Sequence, residues 1–120
     1  MTQKELADRF LDFGAAAIKL GALLTKTYIG RHIANQMMRS ATSAGANWQE
    51  TCGAESRSDF VHKMQIVLKE LRESTYWLQL LQRADVLPNA MGQINTLQKE
   101  SEELTRIIAK SVVTAKANKI

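Results

Sequence analysis

Apolar residues recur at alternating steps of four and three through four separate stretches of this chain, a spacing that gathers them on one stripe of an α-helix. The first series is Leu6, Phe10, Phe13, Ala17, Leu20 and Leu24, and the second is Ile33, Met37, Ala41, Ala44 and Trp48. The third runs through Phe60, Met64, Val67, Leu71, Ser74, Leu78 and Leu81, and the fourth through Ile94, Leu97, Ser101, Leu104, Ile108 and Ser111. Between them stand residues that interrupt helices: Thr27 to Gly30, Gly53, Ser56 or Ser58 as a cap ahead of Asp59, and Asp85 to Asn89 around the one proline, Pro88. The pattern predicts an all-α chain with helices over about 3–26, 31–53, 57–84 and 89–115.

Three short connections make successive helices antiparallel, so the expected architecture is an up-down-up-down antiparallel four-helix bundle. A chain of 120 residues, 45% of them apolar, supplies one such core and a single domain over 1–120. Cys52 has no second cysteine to pair with, and the opening MTQKELADRF is charged from Lys4 onward. No uncharged apolar run approaches the roughly 18 residues of a membrane span, so a cytoplasmic location and no membrane partner are expected.

Catalytic and metal-binding patterns fail on spacing. A di-iron bundle needs Glu-x-x-His twice, whereas His32 follows Ile29 and His62 follows Asp59 at that interval. One cysteine and two scattered histidines make no zinc set, and the glycines at 14, 21, 30, 45, 53 and 92 never cluster into a phosphate loop. Cys52 or Ser43 would need His32 or His62 beside it to act as a nucleophile, and no spacing supports that. Glu70 and Glu73 share a helix face, but pairing with Arg39 or Lys63 is the simpler role. No enzymatic activity, metal or cofactor is expected.

Three polar or small-residue faces remain. On the second helix Arg39, Ser43, Asn47 and Glu50 fall along one line, and on the third Lys63, Glu70 and Glu73 do so; together they suggest either solvated faces or a polar seam that sets helix or subunit register. The segment from Ala41 to Ala46 holds nothing larger than Thr, which suits a helix approached closely from several sides. On the first helix Gly14, Ala15, Ile18, Gly21 and Ala22 widen the apolar surface beyond what one contact uses, implying a second neighbour within the chain or from another copy. A third line, His62, Lys69, Arg72, Tyr76 and Arg83, is basic with an interleaved aromatic and no acid. Such a line grips phosphate and offers bases a stacking surface, unless neighbouring acids such as Glu73 neutralise it. On the fourth helix Lys99 with Glu103 and Glu102 with Arg106 read as solvated i,i+4 pairs, and Lys110, Lys116 and Lys119 concentrate charge toward the end.

The run RSATSAGANWQE from Arg39, followed by SRSDFVHKMQIVLKELRESTYWLQLL from Ser56, resembles the 23S rRNA-intervening-sequence protein family. Its pattern of Arg-Ser, then Ser, Asn and Glu matches Arg39, Ser40, Ser43, Asn47 and Glu50, and its later Phe, Lys and Glu positions match Phe60, Lys63, Glu70 and Glu73. Trp48 and Gln49 depart from it, where small or aliphatic residues are usual. The resemblance implies a four-helix bundle that assembles into a homopentamer without established catalysis, similar to the accessory variability protein of diversity-generating retroelements, a basic barrel that binds a reverse transcriptase and nucleic acid. Five copies of a +4 chain would carry about +20, which strengthens attraction to phosphate. The expected partners are therefore further copies of the chain and RNA or DNA; the alternative is a structural or protein-binding adaptor with no nucleic-acid role.

Overall fold

In the computed structural model, which describes residues 1–118, three helices start where a hydroxyl takes up a free amide hydrogen. Thr2 accepts from the Glu5 N–H at 3.1 Å and begins α1 (Gln3–Leu24); Thr27 accepts from Gly30 at 2.9 Å and begins α2 (Tyr28–Cys52). Ser56, and not Ser58, accepts from Asp59 at 3.0 Å and begins α3 (Arg57–Ala84). The Asp59 carboxylate reaches back to the Glu55 N–H at 3.2 Å, one residue beyond the usual reciprocal partner. Pro88–Ala90 form a single 3-10 turn that leads into α4 (Met91–Ala117), with Pro88 at the position where its missing N–H costs nothing.

The second helix starts earlier than its sequence suggests. Gly30 lies inside the first turn of α2, and only Thr25 to Thr27 separate it from α1, because the Thr27 hydroxyl holds the turn that glycine was expected to break. The C-terminus of α3 uses Asp85 in the left-handed region at φ 52°, donating its N–H to Leu81 O, so the helix stops before Pro88. Lys119 lies outside the described residues.

Successive helices pack side by side, α1 on α2, α2 on α3 and α3 on α4, while the closing α1–α4 seam is sparser. The result is an all-α four-helix bundle of 51 × 23 × 21 Å. Phe13, Leu20, Met37, Leu71, Leu78, Leu104 and Ile108 fill its centre, and Trp48 stacks on Phe10 with centroids 5.7 Å apart. Two stripe positions slip by one: Ala34 is buried where Ile33 is half-buried, and Val112 where Ser111 is. A helix of 3.6 residues per turn drifts by about 20° per heptad from a strict four-three repeat, enough to bring in the next residue.

The serines in the core stripes are buried because each finds a partner. Ser74 donates to Ser40 Oγ at 2.9 Å, tying α3 to α2, and Ser101 meets Thr75 Oγ1 at 2.7 Å, tying α4 to α3. Across the sparser seam, Arg9 of α1 grips Glu100 of α4 with two hydrogen bonds, at 3.0 and 2.6 Å. The small segment of α2 packs closely on one flank, where a Cβ on Gly45 would sit 3.3 Å from Phe10 Cβ, yet Thr42, Ala46 and Gln49 remain exposed to solvent.

Candidate nucleic-acid interface

His62, Lys69, Arg72, Tyr76 and Arg83 are all exposed, and the helical repeat places them along one outer line of α3, about 32 Å from end to end. The third helix holds its other charges differently. Lys63 pairs with Asp59 at 3.1 Å, whereas Lys69, Arg72 and Arg83 have no carboxylate within 4.0 Å among the described residues. Arg72 and Arg83 therefore face water, while the charge of Lys69 is shared with Glu73, one turn along the helix, whose carboxyl it helps to hold down. Tyr76 stands 56% exposed in the middle of the line and meets Trp77 edge to face, with centroids 5.1 Å apart.

The fourth helix completes this surface, which the third helix alone did not disclose. Arg72, Tyr76 and Gln79 share a groove with Glu102, Thr105 and Arg106, bringing one more cation and one acid to the edge of the basic line. Arg106 binds Glu103 at 2.8 Å, an i,i+3 pair in place of the expected bond to Glu102. No ion pair forms between Lys99 and Glu103 among the described residues.

The polar seam divides in the folded chain. Arg39 reaches from α2 to both Glu70, at 3.1 Å, and Glu73, while Trp77 Nε1 donates to Glu73 at 3.1 Å. Glu70 is buried and Glu73 half-buried, so the guanidinium satisfies two carboxylates that water reaches poorly. The other seam residues do not join within the chain: Asn47 donates to Ser43 O at 2.9 Å inside its own helix, Lys63 turns to Asp59, and Glu50 is exposed without an ion pair among the described residues.

Burial pushes the Glu73 carboxyl up, but the hydrogen bonds from Trp77 and Arg39 and the charge of Arg39 outweigh it and hold the group below its ordinary value of 4.5. A depressed folded value means that Glu73 stabilises the fold fully above about pH 4.5 and loses that contribution as the pH falls through the lower, folded value. Because the Arg39 side chain is 48% exposed, solvent screens the pair, and Arg39→Ala is expected to cost about 1–2 kcal/mol at pH 7, less than breaking a fully buried pair. Denaturant melts should show the gap between parent and Arg39→Ala narrowing below pH 4.5, with Lys99→Ala as an exposed control that changes little at any pH.

A second surface lies on the opposite side of the bundle. Leu11 and Ile18, 66% and 54% exposed, edge an apolar groove of ≈ 410 Å³ whose floor is Phe10, Gly14 and Gly45. Ala15 and Ile18 were legible as surplus apolar surface; Leu11, one turn earlier on the same line, was missed. Among the described residues no group of three His, Cys, Asp or Glu is placed to hold a metal ion, and no helix is long and apolar enough to cross a membrane.

Comparison with known proteins adds a family. The chain matches the family model described as 23S rRNA-intervening sequence protein over residues 12–110. It is similar to a crystal structure from Bacteroides thetaiotaomicron VPI-5482, described as a protein with unknown function from the S23 ribosomal protein family. The two are 32% identical with a TM-score of 0.78, over 88% of this chain and 96% of the other. No curated protein matches.

Proposed function

We propose, from the premise that this chain belongs to the 23S rRNA-intervening sequence protein family, that it is a non-enzymatic, self-associating bundle that binds nucleic acid through the outer face of α3. The observation that carries this reading is the line of Lys69, Arg72 and Arg83, three cations without carboxylate partners among the described residues, with an exposed Tyr76 among them. Solvated helix faces ordinarily mix the two signs, as Lys4 and Asp8 do on α1. An unpaired row of cations attracts phosphate and releases its counterions, giving affinity without dependence on base sequence.

Self-association would use the apolar groove beside Leu11 and Ile18, and would give a homopentamer, as the sequence resemblance to the retroelement accessory protein implies. Repetition would multiply the basic line around one particle. A single weak face would then bind with avidity.

The test is a salt titration. The parent is expected to bind short RNA and DNA of unrelated sequences alike at about 50 mM salt, and to weaken linearly in log–log form as salt rises. Replacing Lys69, Arg72 and Arg83 by Ala should lower the slope by about 0.7–0.9 for each phosphate that is no longer neutralised, with folding and assembly intact. An unchanged slope would place binding elsewhere. If the parent binds neither nucleic acid, the apolar groove becomes the working surface and the chain is an adaptor.

A further inference from the structure

We propose that the α3 face takes a single strand rather than a duplex, with one base stacked on Tyr76 and the flanking backbone on Arg72 and Arg106; this rests on the nucleic-acid reading above. Tyr76 is the centre of the inference because its ring is both exposed and held. Its neighbour Trp77 is hydrogen-bonded through Nε1 to Glu73, and Glu73 is in turn held by Arg39 of α2. The seam between α2 and α3 thus anchors the indole, and the indole braces the phenol ring at 73° to its own plane. In an edge-to-face pair at least one face of Tyr76 stays uncovered, whichever ring supplies the edge.

A duplex cannot use that face. Its bases stack on one another and show only their edges in the grooves, whereas an unpaired base presents a whole π-surface. The groove beside Tyr76 makes the same distinction. It measures ≈ 300 Å³ and is bordered by Arg72 and Gln79 on one side and by Glu102 and Arg106 on the other. A phosphate entering between the helices would meet the Glu102 carboxylate and be repelled. A base would not: its amino and imino hydrogens are donors that Glu102 accepts, and the Gln79 amide both donates and accepts. The two arginines at the rim remain placed for the phosphates on either side, since Arg106 gives only one hydrogen bond to Glu103 and keeps other N–H groups free.

The experiment is fluorescence anisotropy on the full chain with an end-labelled, unstructured single strand and the same strand annealed to its complement. The single strand is expected to bind about tenfold more tightly than the duplex. Tyr76→Ala should weaken single-strand binding on the order of tenfold, leaving the duplex affinity and the salt slope unchanged. Tyr76→Phe keeps the ring face and should bind as the parent does, while Tyr76→Ile keeps bulk without the ring and should behave as Tyr76→Ala. The inference is overturned if the duplex binds as tightly as the single strand, or if Tyr76→Ala and Tyr76→Ile match the parent. A lowered slope in the Lys69, Arg72, Arg83 variant would then leave the basic face standing without stacking. Absence of binding by both probes would overturn the face and the stacking together.

Discussion

Gly30→Ala is expected to destabilise the bundle by about 3 kcal/mol, lowering its midpoint by roughly 10 °C or more in a thermal melt. A Cβ at this position would collide with the carbonyl oxygen of Leu24 and crowd Thr27 Oγ1, 2.5 Å away. Both atoms belong to the tight turn between α1 and α2. The Leu24 carbonyl already accepts from the Thr27 N–H at 3.2 Å, and Thr27 Oγ1 caps Gly30 itself, so relief requires moving the backbone or giving up the cap. Two other glycines serve as controls. At Gly21 the obstacle is the Met38 side chain from Cγ, at 2.8 Å, outward through its sulfur, which can turn away about its own flexible bonds without moving backbone, and at Gly92 there is nothing within 4 Å. Gly21→Ala should therefore change stability by less than about 1 kcal/mol, and Gly92→Ala should raise it by a few tenths through helix propensity. Equally small losses at 21 and 30 would show that the turn is softer than its geometry implies.

The contrast between those glycines shows where reading from sequence stops. The core was legible because burial follows periodicity: Phe13, Leu71 and Leu104 are buried for the reason that they recur at helical spacing. Gly30 was not, since a glycine that breaks a helix and one that admits a carbonyl at close range look the same in one dimension. Ion pairing divides similarly. Arg39 with Glu70 and Glu73 was foreseeable, as two carboxylates one turn apart invite a guanidinium on the facing helix. Lys63 was expected beside Glu70 or Glu73, two and three turns further along the same helix, but Asp59 stands one turn away, within reach of the side chain, and takes the pair. The basic line on α3 could be read directly from the helical repeat. Its groove could not, because the presence of Glu102 and Arg106 beside Tyr76 depends on how α4 is seated lengthwise against α3, where Ser101 meets Thr75 and Gln82 meets Asn95 at 2.7 Å each.

If the chain self-associates through the groove beside Leu11, as proposed, Leu11→Glu combined with Ile18→Glu is expected to leave a monomer with the bundle folded. In the isolated chain both side chains are largely exposed, at 66% and 54%, so within one bundle their replacement removes little packing. In an assembly that covers the groove the outcome differs. Burying a Leu and an Ile contributes about 1.5–3 kcal/mol each, and a carboxylate forced into the same space without a partner costs several more. Each interface would lose at least about 5 kcal/mol, more than a thousandfold in association. The groove floor explains why approach would be close: Gly14 and Gly45 lie there with Ala15 and Ala46 beside them, so another helix could settle near both backbones. Light scattering at tens of micromolar, read beside a thermal melt of the same sample, separates assembly from folding. A parent that is monomeric would end the self-association reading, and an assembled double variant would move the interface away from this groove. Lost assembly with an intact melt would also carry a consequence for binding, because the basic line would then be present once per particle and its avidity should vanish with the oligomer.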